Sequence, residues 1–370
     1  MIDPDFWKGK KVFVTGHTGF KGSWLCLWLH ALGAEITGYS LKPKTTQNLY
    51  DLCRTDELVT SIYGDIRDLT KLQTAIINAK PEIVIHMAAQ SIVKHSYYEP
   101  VQTYEVNVLG TVNVLEAIRN AINKGVSIKT FINVTSDKCY ENKEWAWGYR
   151  EDDQLGGYDP YSNSKACSEL VTSSYRNSFF NPIYVNQHGL NIATARAGNV
   201  IGGGDWTKDR LVPDCIRAIL SSTPLNIRNA NAIRPWQHVL EPLSGYLVLA
   251  QNMYNSSGHY SQGWNFGPNS QDERTVEYVV QYLIKKWGKE IPVKQIQGEA
   301  HEAHILKLDC SKSKSVLKWN TRWNLEIALD KVIEWTRVYQ SGEDVREICL
   351  SQINQYSSSK GESKDANPNA

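Results

Sequence analysis

Lys11-Val12-Phe13-Val14-Thr15-Gly16-His17-Thr18-Gly19-Phe20-Lys21-Gly22 is the stretch on which the fold turns. Its first five residues are a short β-branched and aromatic run of the kind that forms a buried strand. Three evenly spaced glycines follow, and an amphipathic segment from Ser23 to Leu32 then runs to Gly33. Strand, glycine turn and helix in that order let a backbone approach a pyrophosphate, whose charge then sits at a helix N-terminus. The turn therefore predicts a dinucleotide site contacted by Gly16, His17, Gly19, Phe20 and Gly22. The spacing is Gly-x-x-Gly-x-x-Gly rather than Gly-x-Gly-x-x-Gly. His17 is bulky for such a turn and is expected to crowd the cofactor.

Downstream the same alternation repeats. Glu35–Ser40 reads as a second strand, and its end, Ser40-Leu41-Lys42, lacks the acid that usually binds the adenosine ribose of NAD. Lys42 suits the 2′-phosphate of NADP or a solvated loop, so this stretch leaves the choice open. Leu58–Tyr63 is a third strand ending in Gly64-Asp65-Ile66-Arg67-Asp68. There Asp65 and Ile66 are candidates for the adenine end, and Asp68 is placed to cap a helix over Leu69–Ala79. Glu82–His86 is a fourth strand with His86 read as a core residue. Ala88, Ala89 and Gln90 then form a small-residue turn against which a flat cofactor can lie. A helical pattern spans Pro100 to Ala121, and Lys129–Ser136 is a fifth strand that switches abruptly to Asp137-Lys138-Cys139-Tyr140. Asn191–Arg196 is a further strand. The reading is an α/β protein with a Rossmann-like doubly wound parallel sheet over residues 8–198, joined by returning segments of the C-terminal half. Residues 199–340 are expected to form mainly a smaller C-terminal α/β substrate-binding part. Arg228, Arg234, Trp236 and His238 fall there, and cations and aromatics suit a nucleotide diphosphate. The tail 356–370, rich in Ser, Lys, Asn and Gly, is expected to be disordered.

The chemistry concentrates in Tyr161-Ser162-Asn163-Ser164-Lys165, inside a helical pattern that runs to about Phe179. Residues four apart share a helix face, so the phenol and the ammonium can point into one cleft. A free Tyr titrates near about 10, and a fixed cation favours its phenolate. Such a pair can take a proton from a hydroxyl while hydride leaves the same carbon.

Net charge of +1 over 370 residues gives no reason to expect nucleic acid or an acidic membrane surface as partner. The seven cysteines stand singly, with no Cys-x-x-Cys, so neither a zinc site nor a disulfide framework is expected. No apolar run approaches the ~18 residues of a membrane span. The opening Met1-Ile2-Asp3-Pro4-Asp5-Phe6-Trp7-Lys8 does not read as a secretory signal, and a cytoplasmic protein is expected. The cluster Glu299-Ala300-His301-Glu302-Ala303-His304 is read as a solvated or substrate-facing loop, and no metal is expected.

Thr15-Gly16-x-x-Gly19-Phe20-x-Gly22, Gly64–Asp68, His86–Gln90, Thr135-Ser136-Asp137 and Tyr161-x-x-x-Lys165 occur in that order. Together they resemble the extended short-chain dehydrogenase/reductase family, in its nucleotide-sugar branch, over roughly residues 8–340. Thr135–Tyr140, Ala197–Trp206 and Arg234–Val239 narrow the resemblance to the 4,6-dehydratases of that branch. The resemblance implies NAD as cofactor and CDP-glucose as substrate. It implies that Tyr161 is the base at the 4-hydroxyl, that Lys165 lowers its pKa, that Ser136 holds the 4-oxygen and that Asp137 is the acid. Related dehydratases carry Glu where Lys138 stands, which leaves Lys138 either as the base at C5 or as an electrostatic support. Asn199, Asp205, Trp206, Arg210 and Arg234 are the implied substrate contacts, and a homodimer or homotetramer is implied. Two rival readings remain: a 4-epimerase, which needs no acid at Asp137, and a non-catalytic dinucleotide-binding sensor.

Overall fold

The computed structural model describes residues 1–43, 45–296 and 305–359. Seven parallel strands form the central sheet: β1 (Lys11–Thr15), β2 (Glu35–Ser40), β3 (Thr60–Tyr63), β4 (Ile83–His86), β5 (Thr130–Val134), β6 (Asn191–Arg196) and β7 (Gly263–Asn265). Their spatial order is β7-β6-β5-β4-β1-β2-β3. The chain reverses direction across the sheet between β1 and β4, and in such sheets ligands bind beyond the carboxyl ends at that point. The register brings Thr15 level with both Tyr39 and His86, so these ends share one rim.

The labelled helices are α1 (Phe20–Ala31), α2 (Leu69–Ala79), α3 (Gly110–Asn123), α4 (Pro160–Ser178), α5 (Leu211–Ser221), α6 (Leu240–Tyr254), α7 (Val276–Trp287), α8 (Leu325–Ser341) and α9 (Val345–Ser358). Side chains along a strand alternate between faces, and here they sort into two cores. Val12, Val14, Ile83, Ile85, Ile132 and Val134 pack with α1, α6 and α9 on one face. Phe13, Val84, Phe131 and Ile192 pack with α2 and α3 on the other. A third core, separate from the sheet, gathers Val212, Ile216, Val279, Leu283, Leu329 and Val332 from α5, α7 and α8.

The structure differs from the sequence reading in three places. The helical pattern from Pro100 is a short helix, Pro100–Tyr104, joined to α3 by a widened π-type turn at Glu105–Leu109. The extra residue turns Asn107 inward, where it is buried and fully engaged. The glycine-turn helix begins at Phe20, so Gly22 lies in its first turn. Tyr356, assigned to a disordered tail, lies in α9 and is fully buried. Its hydroxyl donates to Glu241 at 2.6 Å and pairs with Ser244 at 3.0 Å, while its ring meets Trp28 and Trp323 edge-on. Residues 360–370 and the Glu299–His304 cluster lie outside the described residues.

No helix among the described residues is long and apolar enough to cross a membrane. Tyr356→Ala is expected to cost about 3–5 kcal/mol, because it opens an aromatic-sized cavity and strips a partner from buried Glu241. Urea unfolding measures it, and an unchanged midpoint would contradict the packing described.

Candidate active site

Asp159 starts α4 by accepting from the Ser162 amide at 3.0 Å, with Pro160 at the first helical position. Tyr161, Lys165 and Glu169 then follow at four-residue spacing, all buried on the face turned to the sheet. Beyond the end of β5, Ser136 caps the single turn Asp137–Cys139 by accepting from the Lys138 amide at 3.2 Å. Its hydroxyl donates to Asp137 Oδ1 at 3.0 Å. Asp137 is fully buried, and its Oδ2 has no hydrogen-bond partner among the described residues. That oxygen lies against Gly198, where an added Cβ would fall 1.8 Å away. Only glycine leaves the carboxylate room there. Lys138 stands beside Asp137, Nζ to Oδ1 3.7 Å, and is partly exposed.

Burial pushes the Tyr161 phenol up to about 12, the Ser136 hydrogen bond and the Arg210 charge pull it down, and Asp137 and Asp159 raise it. Lys165 is pulled down to about 8 by burial, with Glu169 opposing, and its ammonium donates to the Val134 carbonyl at 3.3 Å. The sequence reading had Lys165 hold the phenol down. In the structure the groups that pull the phenol down are Ser136 and Arg210, burial outweighs them, and the Lys165 ammonium is turned to the Val134 carbonyl.

The glycine turn packs directly on the loop after β4. Gly16 has φ +76°, and a Cβ there would sit 2.8 Å from the Ala88 amide nitrogen; one on Gly22 would sit 2.1 Å from the Gly16 carbonyl oxygen. Gly19 caps α1 without a side-chain acceptor, which leaves first-turn amides available to an anion. Thr15 Oγ1 accepts from Met87 and Ala88 amides at 3.1 and 3.2 Å. Asn107 accepts from the Gln90 amide at 2.8 Å and donates to Ser164 at 2.8 Å, tying the Ala88-Ala89-Gln90 loop to α4. This cradle of bare backbone fits a dinucleotide. At its far rim Asp65 is held by Arg67 at 2.8 Å, and buried Ile66 lies against Gly110. Asp68 caps α2, and His86 is a core residue bonded to Thr15 at 2.7 Å, both as read from the sequence.

His17 does not crowd the turn. Its ring is fully buried at the β2–β3 edge, 3.1 Å from Ser61 Oγ, over Gly38 and edge-on to Tyr50, and burial pulls it down to about 4. His238 likewise belongs to the core, packed against Trp24 and Trp323, and Trp236 is buried with its indole nitrogen on the Arg274 carbonyl. Among the implied substrate contacts, Asn199 adopts φ +46° next to Gly198. Arg210 pairs with Asp205 at 3.0 Å and reaches Ser91 at 3.1 Å, bridging to the loop after β4. Trp206 is half-buried and packs on Trp335 and Tyr339 of α8. Arg234 is buried in the strand Ile233–Pro235, its Nη1 on the Ile233 carbonyl at 2.9 Å. Among the described residues no cluster of His, Cys, Asp and Glu could hold a metal.

Sequence reasoning missed three groups. Gly198 was passed over within a longer match. Glu169 and Arg196 form a buried pair at 2.9 Å beneath Tyr161 and Lys165. Lys21, inside the glycine turn, is pulled down to about 7 by burial and by Lys165 and Arg210, with Asp137 opposing. A charge set inside a buried element was the available signal for the pair and for Lys21.

A Tyr–Lys pair on a helix facing a glycine turn, at the carboxyl rim of a parallel sheet, defines a dinucleotide-binding protein of the short-chain dehydrogenase/reductase class. Residues 13–332 match the family described as GDP-mannose 4,6 dehydratase, and the chain belongs to that family. It is 52% identical, over 97% of its length and 99% of the relative's, to the CDP-glucose 4,6-dehydratase of Salmonella typhimurium strain LT2. It is 27% identical, over 88% and 92% of the two lengths, to the dTDP-glucose 4,6-dehydratase of Streptomyces antibioticus. Among solved structures, a dTDP-glucose 4,6-dehydratase of Streptomyces venezuelae with NAD bound superposes with TM-score 0.76 at 22% identity, covering 90% of this chain and 99% of that one. The UDP-glucose 4-epimerase of Thermus thermophilus in complex with NAD does so with TM-score 0.75 at 23% identity, covering 88% and 98%.

Glu169→Gln leaves Arg196 buried without its counter-charge and is expected to cost about 3–5 kcal/mol of stability. Denaturant unfolding at neutral pH checks this. A loss below the scatter of surface substitutions would mean that the pair does not hold α4.

Proposed function

We propose that the chain is an NAD-dependent hydro-lyase that converts CDP-D-glucose to CDP-4-keto-6-deoxy-D-glucose and water. One observation carries the reaction type: a fully buried Asp137 with one carboxylate oxygen unpartnered, adjacent to Ser136 at the mouth of the Tyr161–Lys165 site. A 4-epimerase has no use for that acid, and the likeness to epimerase and dehydratase folds is equal enough to leave the choice to the site. The choice of CDP rests on the 52% identity over nearly the whole chain.

NAD, when bound, supplies the acceptor and later the donor of hydride. The glycine turn, the Ala88–Gln90 loop and Lys165 hold it, with Asp65 at the adenine end. Tyr161 takes the proton of the sugar 4-hydroxyl, and Ser136 donates a hydrogen bond to the 4-oxygen as charge develops there. Once carbon 4 is a ketone, the proton on carbon 5 is acidic. Lys138, 3.7 Å from Asp137, either takes that proton or steadies the resulting enolate by charge. Asp137 gives its proton to the departing 6-hydroxyl, so that the C6–O bond breaks and water leaves. Asn199, Asp205, Trp206, Arg210 and Arg234 contact the nucleotide sugar, in the part formed by residues 199–340. A cytoplasmic location accords with such a substrate.

The helix carrying Asn107 and the outer face of α4 expose Val101, Leu109 and Leu170 at 70%, 50% and 58%. Side chains that apolar, on two adjacent helices, suit a second copy of the chain. Leu170→Asp is expected to shift the mass measured by light scattering from dimer or tetramer to monomer; an unchanged mass places the interface elsewhere.

The reaction is tested by incubating CDP-, dTDP- and GDP-glucose with the protein, with and without added NAD, and weighing the products. Loss of water from the CDP sugar alone is expected, slowed about 10²–10⁴-fold by Asp137→Asn. A sugar returned as its C4 epimer would exclude the dehydratase assignment.

A further inference from the structure

We propose that Lys21 sets the charge preference of the cofactor cleft: its ammonium, at the reactive end of the glycine turn and without an ion-pair partner among the described residues, disfavours the cationic oxidised nicotinamide and leaves the neutral reduced one unopposed. The inference rests on the reading above that the chain binds NAD.

The placement follows from the turn. Lys21 sits between Phe20 and Gly22 in the first turn of α1, so its side chain springs from the backbone that cradles the dinucleotide. Its Nζ lies 5.8 Å from the ring centre of Tyr246 on α6, a fully buried tyrosine whose hydroxyl has no partner among the described residues. The charges that act on Lys21 are Lys165 from α4, Arg210 from the start of α5 and Asp137 from the end of β5. Tyr246 in turn senses Tyr161 and Asp137. Lys21 therefore faces the same small volume as the Tyr161–Lys165 pair. A group that accepts hydride from the carbon whose hydroxyl Tyr161 deprotonates must lie in that volume, and its positive charge vanishes as it is reduced.

Lys21 is half-buried in that cleft, and two like charges there repel, the repulsion acting on both. Lys21, pulled down to about 7, is charged below that pH and discharged above it. Binding a cation beside it favours the discharged form, so by linkage the oxidised cofactor binds more weakly where Lys21 is protonated. The ratio of the two dissociation constants, oxidised over reduced, should therefore be high at pH 6 and fall as pH rises through about 7. A lysine in a glycine turn can instead bind a cofactor phosphate. That role predicts an equal effect on both redox forms, because the phosphates do not change.

The experiment is equilibrium titration of NAD⁺ and NADH against the native protein, Lys21→Met and Lys21→Arg, without sugar, at pH 6 and pH 9. Lys21→Met is expected to lower the ratio at pH 6 by roughly tenfold, the effect of about one pKa unit of coupling, and to change it little at pH 9. Lys21→Arg, which keeps its charge, is expected to hold the ratio high at both pH values. Equal weakening of both forms by Lys21→Met, or a native ratio independent of pH, would overturn the proposal while leaving the NAD reading intact. If the native protein bound neither form, the NAD reading itself would fall, and this one with it.

Discussion

The ion pair between Glu169 and Arg196 is the constraint on which the site depends. Both groups are buried, and an isolated charge there would be strongly disfavoured. The pair persists because its hydrogen bonds are filled. Glu169 accepts from Thr135 at 2.5 Å, from Thr194 at 2.6 Å and from two Arg196 nitrogens at 3.0 and 2.9 Å. Arg196 spends a further nitrogen on the Tyr140 hydroxyl and the Glu151 carbonyl. These partners come from both sides of Glu169, so α4 cannot rotate over β5 and β6 without stranding a charge. Lys165 and Tyr161, about one and two turns earlier on the same face, are set by that rotation.

The second constraint is the absence of side chains. Gly16 and Gly22 let the turn lie against Ala88 and against itself, and Gly198 lets the loop after β6 lie against Asp137. A dinucleotide cradle and a buried acid are thus made from the same device, backbone brought within contact distance of a partner. Arg210 then joins the two regions, since it pairs with Asp205 in one loop and reaches Ser91 in another. Its charge also pulls the Tyr161 phenol down, against the larger upward push of burial, so the residue that bridges the two loops acts electrostatically on the Tyr161 hydroxyl as well.

Local features were legible in the sequence. The second and sixth strands and the helix capped by Asp68 stand at the residues that alternation and capping indicate. The turn, the switch at Asp137 and the Tyr161–Lys165 face all depend on neighbours within a few positions. What sequence could not supply depends on distant partners. Glu169 and Arg196 are 27 residues apart and meet only because β6 lies beside β5. The sequence places His17 at the cofactor by its position in the glycine turn and His238 at the nucleotide by its residue type, while their burial is decided by Gly38 and Trp323. Polar composition near the C-terminus hid Tyr356, which a single aromatic ring anchors to α1 and α6.

The widened turn at Glu105–Leu109 has a consequence for how this chain can vary. It contains one residue more than an ordinary helical turn, and each residue of a regular helix advances the direction of its side chains by about 100°. Deleting one residue there would restore regular geometry and swing the whole preceding segment relative to α3. Asn107 would lose Gln90 and Ser164, and Val101 and Leu109 would leave their common outer face in the same stroke. The loop after β4 and the exposed apolar face around Val101 and Leu109 therefore share one reading frame of the helix, and a length change tolerable to either alone is closed to both.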